Sequence, residues 1–174
     1  MVLIQWVVNM KYFSPGDILL SDFDGVFLDS QERHNQVMRG ETALDPWMEY
    51  LNSIDWKTFL RNCNEIPGAT ETFLELQKLG ILKGFITRIH SYEEGKEKGI
   101  ILREAGILVP IHYVLPEQPK SIVYMPNRQT IILDDDPANC MDWERKGGKS
   151  IQYDSTLMCS TKKKVKEISD LLLK

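Results

Sequence analysis

The sequence predicts an α/β fold: a mainly parallel central sheet, helices on both faces, and a small helical cap inserted after the first strand. Three observations predict it. Short apolar runs of strand length alternate with longer segments of helical period. Two of those runs, Asp17-Ile-Leu-Leu-Ser21 and Thr130-Ile-Ile-Leu133, lead straight into clustered carboxylates. Residues 30–65 break the alternation with closely spaced helix signals. Strands alternating with helices build a parallel sheet covered on both sides, and sites on such sheets lie beyond the carboxyl ends of the strands.

The elements follow in order. Met1 to Met10 holds the apolar run Val2-Leu-Ile-Gln-Trp-Val-Val8. It is too short to span a bilayer and lacks the basic start and small-residue cleavage site of a signal peptide. It reads either as an added edge strand or as a leader upstream of a start at Met10. Asp17 to Ser21 is a buried strand. Asp45-Pro46 is a helix start, Asp as N-cap and Pro at the first helical position. Trp47, Tyr50, Leu51 and Ile54 then share one helical face, and Asp55 caps a second short helix carrying Trp56, Phe59 and Leu60. The core thus comprises residues 1–29 and 66–174, and the cap residues 30–65. After Ile66-Pro67-Gly68 a helix places Phe73, Leu74, Leu76 and Leu79 in period and closes at Gly80. Ile81 to Thr87 reads as a strand, Glu93 to Glu104 as a helix and Ile111 to Leu115 as a strand. Thr130 to Leu133 is a strand, Cys140 to Lys146 a helix, Ser150 to Tyr153 a strand, and Lys162 to Leu173 a last helix.

At 174 residues the chain suits one domain with a small insertion and can bury a sizeable core. Its 43% hydrophobic and 26% charged residues are ordinary for a globular protein, and its net charge of -4 points to neither general nucleic-acid nor membrane binding. Cys63, Cys140 and Cys159 form no CxxC pair, so neither a zinc site nor a disulfide framework is expected. They read as inert thiols of a reducing cytosol, giving a cytoplasmic expectation. His34, His90 and His112 lack metal spacing. Lys162-Lys-Lys-Val-Lys166 reads as the solvated face of the last helix.

The chemistry gathers at strand ends. In Ser21-Asp22-Phe23-Asp24-Gly25-Val26 two carboxylates stand two apart beside a glycine that permits a sharp turn. In Leu133-Asp134-Asp135-Asp136-Pro137-Ala138-Asn139 three acids follow another strand. A parallel sheet brings the two groups together, and clustered carboxylates need a cation to stay ionised. Oxygen ligands of this kind suit magnesium. Asp134 and Asp136 are also candidates for capping the next helix. Thr87, at the end of Phe85-Ile86-Thr87-Arg88, and Lys120 add a hydroxyl and an ammonium for phosphoryl oxygens. Arg88 is a candidate substrate contact. Trp47 and Trp56 are candidates for stacking on a substrate ring, against the ordinary reading of core aromatics.

These motifs resemble the haloacid dehalogenase (HAD) superfamily, specifically its phosphatases. An apolar strand ending in Asp22-Phe-Asp24-Gly-Val26 matches that family's first motif, Thr87 its second, Lys120 its third, and Asp134-Asp135 its fourth. The four occur in order over roughly Asp17 to Asp154. The fourth motif ends in Asn139 rather than Asp, which puts a supporting role in question. The resemblance implies a HAD-like Rossmann fold and a set of roles. Asp22 is the nucleophile, and Asp24 the acid and then the base. Asp22, Asp135 and the carbonyl of Asp24 bind Mg2+, with Asp134 and Asn139 behind them or joining them. Thr87 and Lys120 hold the phosphate, while Arg88, which matches no motif position, stays open between a phosphate contact and a surface salt bridge. An acid at position 24 also disfavours dehalogenation. The short connection from Ser121 to Gln129, Gly147-Gly148 and the small cap resemble the deoxyribonucleotidase branch more narrowly.

The expected function is magnesium-dependent hydrolysis of a small phosphate monoester, with nucleoside or deoxynucleoside monophosphates leading. The alternatives are a sugar phosphate or other small metabolite, a nucleic-acid 3′-phosphate end, or a phosphate-binding module without turnover. Oligomeric state is not legible.

Overall fold

A computed structural model describes residues 10–31, 33, 51–154 and 164–173. Among the described residues the sheet has six strands, all parallel, in the order β3-β2-β1-β4-β5-β6. They are β1 (Ile18–Ser21), β2 (Leu82–Arg88), β3 (Ile111–Val114), β4 (Thr130–Asp134), β5 (Lys149–Tyr153) and β6 (Lys164–Val165). The helices that lie wholly within the described residues are α1 (Trp56–Arg61), α2 (Ala69–Lys78), α3 (Tyr92–Glu104) and α4 (Pro137–Arg145), with 3-10 turns at Lys120–Ile122 and Ile168–Leu172. The predicted fold class holds.

Alternation along the strands feeds two cores. Leu19, Phe85, Ile131, Leu133 and Ile151 face the larger one, with Phe73 and Leu76 of α2, Leu102 of α3, and Ile168 and Leu171. Leu20, Ile86, Val114 and Ile132 face the other, closed by Trp143 of α4. Helices therefore cover both faces. None of the described helices is long and apolar enough to cross a membrane.

Chain order explains where a site must form. The strands run outward from β1 through β2 to β3, then return to its other side for β4, β5 and β6. The connections diverge at β1, and that switch point opens a crevice beyond the strand tips. Ser21 pairs with Leu133, and Asp22 N–H continues the ladder to the Leu133 carbonyl at 2.8 Å. Asp22 and Asp134 thus leave neighbouring strands at the same level.

The segment after β1 leaves and rejoins the core through adjacent backbone. Asp29 N–H donates to the Asn64 carbonyl at 2.8 Å, and Ile66 N–H to the Phe27 carbonyl at 2.9 Å. Asp55 caps α1, accepting from Thr58 N–H as the sequence predicts. Trp56, Phe59 and Leu60 are all buried in the larger core. Arg61 ties α1 to α3 through Glu97 at 2.6 Å and through both oxygens of Glu104. The expected helix from Asp45-Pro46, with Trp47 and Tyr50, lies outside the described residues, as does the run Val2 to Val8.

Two expectations need correction. Lys162 to Leu173 does not form one helix: Lys164 and Val165 pair with Gln152 and Tyr153 as β6, and Ile168–Leu172 is a 3-10 turn. Val165 is buried as a strand residue, while Ile168 and Leu171, three apart, bury equally well in a 3-10 turn. The lysine run is therefore no solvated helix face in its described part: Lys164 reaches Asp154 at 3.6 Å. Secondly, α4 starts at Pro137, ahead of Cys140, because Asp136 caps it by accepting from Ala138 N–H at 2.8 Å.

Candidate active site

The crevice holds a cleft of about 180 Å³ lined by Asp22, Asp24, Gly25, Ser30, Gln31, Arg88, Asp135, Asp136 and Asn139. A larger cavity of about 650 Å³ between α1 and α3 contains none of the clustered acids.

Asp22 is buried at the tip of β1. One oxygen accepts from Phe23 N–H at 2.7 Å and the other pairs with the Lys120 ammonium. Lys120, itself buried, also reaches Asp134 Oδ2 at 2.8 Å. The other Asp134 oxygen accepts from Asp136 N–H and Asn139 Nδ2, each at 3.0 Å. Asp134 is thus fully buried and satisfied by protein groups, and it serves to fix Lys120 beneath Asp22. Asn139 continues the network, its Oδ1 accepting from Arg88 Nη2 at 2.9 Å. Arg88 also donates from Nε to the Pro116 carbonyl at 3.1 Å, so its guanidinium is held against the cleft wall.

Asp135 stands exposed at the mouth. Gly25 turns with φ +70°, and a Cβ there would lie 2.2 Å from Asp135 Oδ2. Only a residue without a side chain lets the two loops approach so closely.

Carboxylate oxygens of Asp22, Asp134 and Asp135 lie within 4.8 Å of one another. Lys120 is the one cation paired to this group among the described ion pairs. Burial, above all, pushes Asp22 up to about 8; Lys120 opposes this, and the charges of Asp134, Asp24 and Asp135 add to it. The cluster is short of positive charge and all its donors are oxygens, which fits a hard divalent cation.

Asp24 behaves oppositely. Burial raises its carboxyl, but the Lys98 ammonium and hydrogen bonds from Lys98, Ser30 and Thr87 outweigh this and hold it below its ordinary value. Its side chain turns away from the acid cluster toward Lys98. Thr87 is fully buried, and its hydroxyl donates to Asp24 Oδ2 at 3.0 Å. Neither Thr87 nor Lys120 lines the cleft; both lie beneath it, bound to Asp24 and Asp22.

Trp56 does not reach the cleft. Its ring is buried, stacked on His90 at 5.9 Å and edge-on to Phe59 at 5.8 Å. Core packing accounts for it. Trp47 lies outside the described residues. Cys63 and Cys140 are free, and burial first of all pushes each up to about 12, as expected of inert thiols; Cys159 lies outside the described residues.

Sequence reasoning missed Lys98 and Ser30. The available signal for Lys98 was Glu94, four residues earlier on the same helix and favourably oriented. Ser30 Oγ donates to Asp24 Oδ1 at 2.9 Å.

No family model matches the chain, and no curated protein is similar to it at a significant level. Solved structures are similar in fold. A HAD-superfamily hydrolase of subfamily IA from Geobacter sulfurreducens superposes with TM-score 0.61 at 14% identity, covering 90% of this chain and 94% of that one. A β-phosphoglucomutase assigned in Thermotoga maritima gives 0.59 at 14%, covering 89% and 96%. A dehalogenase gives 0.63 at 11%, covering 92% and 96%. The chain therefore has the Rossmann-like fold of HAD hydrolases, and the acids at its switch point form a group that could bind a metal.

Proposed function

We propose that this protein is a magnesium-dependent phosphomonoester hydrolase that works through an aspartyl-phosphate on Asp22. One observation carries the reading: a buried aspartate at the switch point, backed by a buried lysine and flanked by Asp135. Asp22 and Asp135, with the backbone carbonyl of Asp24, would hold the ion. When bound, it supplies positive charge that keeps Asp22 ionised and offsets charge on the phosphoryl oxygens.

In the first step a carboxylate oxygen of Asp22 forms a bond to phosphorus as the bond to the leaving oxygen breaks. Asp24, ionised in the free protein, takes up a proton from solvent once the phosphoryl charge lies beside it, and passes that proton to the leaving oxygen. In the second step Asp24 takes a proton from the attacking water, and phosphate leaves with Asp22 restored. Two lower barriers replace one high one. Lys120 fixes Asp22 from below, Thr87 fixes Asp24 in the same way, and Arg88 on the cleft wall is the described side chain placed to meet the phosphate. The acid at position 24 favours an ester over a carbon–halogen bond, because an alkoxide needs a proton to leave and a halide does not.

Nucleoside and deoxynucleoside monophosphates are the leading substrates, with residues 30–65 as the cap that selects them. That preference rests on the resemblance to the deoxyribonucleotidase branch, since Trp56 is core and Trp47 lies outside the described residues. A second reading, a sugar phosphate, is favoured by the cleft itself. Its described lining has no aromatic side chain but offers Ser30, Gln31, Arg88 and Asn139, which suit a hydroxyl-rich leaving group. The test is phosphate release from a panel of nucleotides, deoxynucleotides, sugar phosphates and a 3′-phosphorylated oligonucleotide. Fastest release from deoxynucleotides supports the leading substrate, and fastest release from a sugar phosphate supports the second. Release from none of them contradicts the proposed activity.

A further inference from the structure

We infer that Lys98, held by Glu94, is the positioning residue for Asp24; this rests on the hydrolase reading above. Lys98 lies on α3, away from the strand tips, and is completely buried. Its ammonium reaches Asp24 Oδ2 at 2.6 Å, Glu94 Oε1 at 2.7 Å, the Arg88 carbonyl at 2.8 Å and Thr87 Oγ1 at 3.1 Å. It also sits 5.6 Å from the centre of the Phe23 ring, between the two motif aspartates. Glu94 is anchored in turn: its other oxygen accepts from His90 N–H at 2.6 Å.

This arrangement distinguishes the two oxygens of Asp24. Oδ2 is tied into the protein by Lys98 and Thr87. Oδ1 meets the hydroxyl of Ser30, a cleft-lining residue, and the side chain keeps 34% of its exposure. The geometry assigns Oδ1 to the substrate and Oδ2 to the scaffold. Stability alone does not call for such a site. Buried ion pairs are often matched or bettered by well-packed apolar residues, whereas a charge network fixes geometry. A freely rotating aspartate at this tip would spend much of its time out of line with the leaving oxygen, and small misplacements of a catalytic group cost large factors in rate.

The step affected is the first. As Asp22 bonds to phosphorus, a proton that Asp24 Oδ1 has taken up from solvent beside the bound phosphoryl charge moves to the departing oxygen. An alkoxide needs that proton, and 4-nitrophenolate leaves without it. The experiment therefore compares kcat/KM, which reports this step, for glycerol phosphate and 4-nitrophenyl phosphate. Lys98→Met should lower the value for glycerol phosphate by ~10²-fold or more, the usual worth of a placed acid. The loss on 4-nitrophenyl phosphate should be at least ~10-fold smaller. Glu94→Gln, which keeps an acceptor for His90 N–H, should show the same bias more weakly. Lys98→Met leaves the buried Glu94 with only His90 and its N–H beside it, so Lys98→Met/Glu94→Gln is the companion variant, with folding of each checked by thermal melting. Equal losses on both esters in folded variants would overturn the inference while leaving the hydrolase reading intact. If the wild-type protein hydrolyses neither ester nor any member of the earlier panel, both fall together.

Discussion

Gly25 links backbone conformation to the proposed metal ligand Asp135 at the scale of one residue. Its positive φ disfavours any L side chain, and an added Cβ would collide with the carboxylate of Asp135. Gly25→Ala should therefore displace Asp135 rather than merely loosen a turn. The expected outcome is a ~10-fold or larger rise in the magnesium concentration that half-saturates activity, together with a lower Tm. A magnesium titration and a melting curve check it; an unchanged midpoint would remove Asp135 from the ligand set. Asp22, Asp24 and Asp135 were legible in sequence because acids two apart, or in a row, at the end of an apolar strand have few other uses. Lys98 was hidden because it lies in Tyr92–Glu104, a helix whose buried positions include Glu94, Glu97 and Lys98. Hydrophobic periodicity cannot reveal a buried face made of charges.

At the scale of elements, four helices and five strands follow the period and capping signals of the chain, with ends shifted by a few residues. The last element does not. Lys164–Val165 is a two-residue strand at the sheet edge, and too few residues alternate for a period to register. Ile168 and Leu171 behind it bury fully against the core, so the segment Ile168–Leu172 is part of the fold. Leu171→Ala should cost about 2–5 kcal/mol, the range for a buried leucine truncated in a packed core. Denaturant unfolding measures it; a change under about 0.5 kcal/mol would mean that this segment carries little of the stability. Tertiary pairing with β5 decides this element.

Across the whole molecule, topology does what no single motif can. The chain leaves β1 in one direction and returns on its other side, so the tips of β1, β2 and β4 surround one crevice. Four segments far apart in sequence then meet there, carrying Asp22, Thr87, Lys120 and Asp135. The order and types of these residues made the convergence readable in advance. The choice of substrate was not readable, because it depends on side chains around the cleft rather than on the chemistry at phosphorus. The central claim is that Asp22 is a nucleophile served by a divalent cation. The most direct measurement is phosphate release by the wild-type protein and by Asp22→Asn, each with magnesium and with a chelator. The account predicts release by the wild type with magnesium, its loss with chelator, and a rate lower by at least ~10³-fold in Asp22→Asn. An Asp22→Asn protein as fast as the wild type, or wild-type release untouched by the chelator, would contradict it.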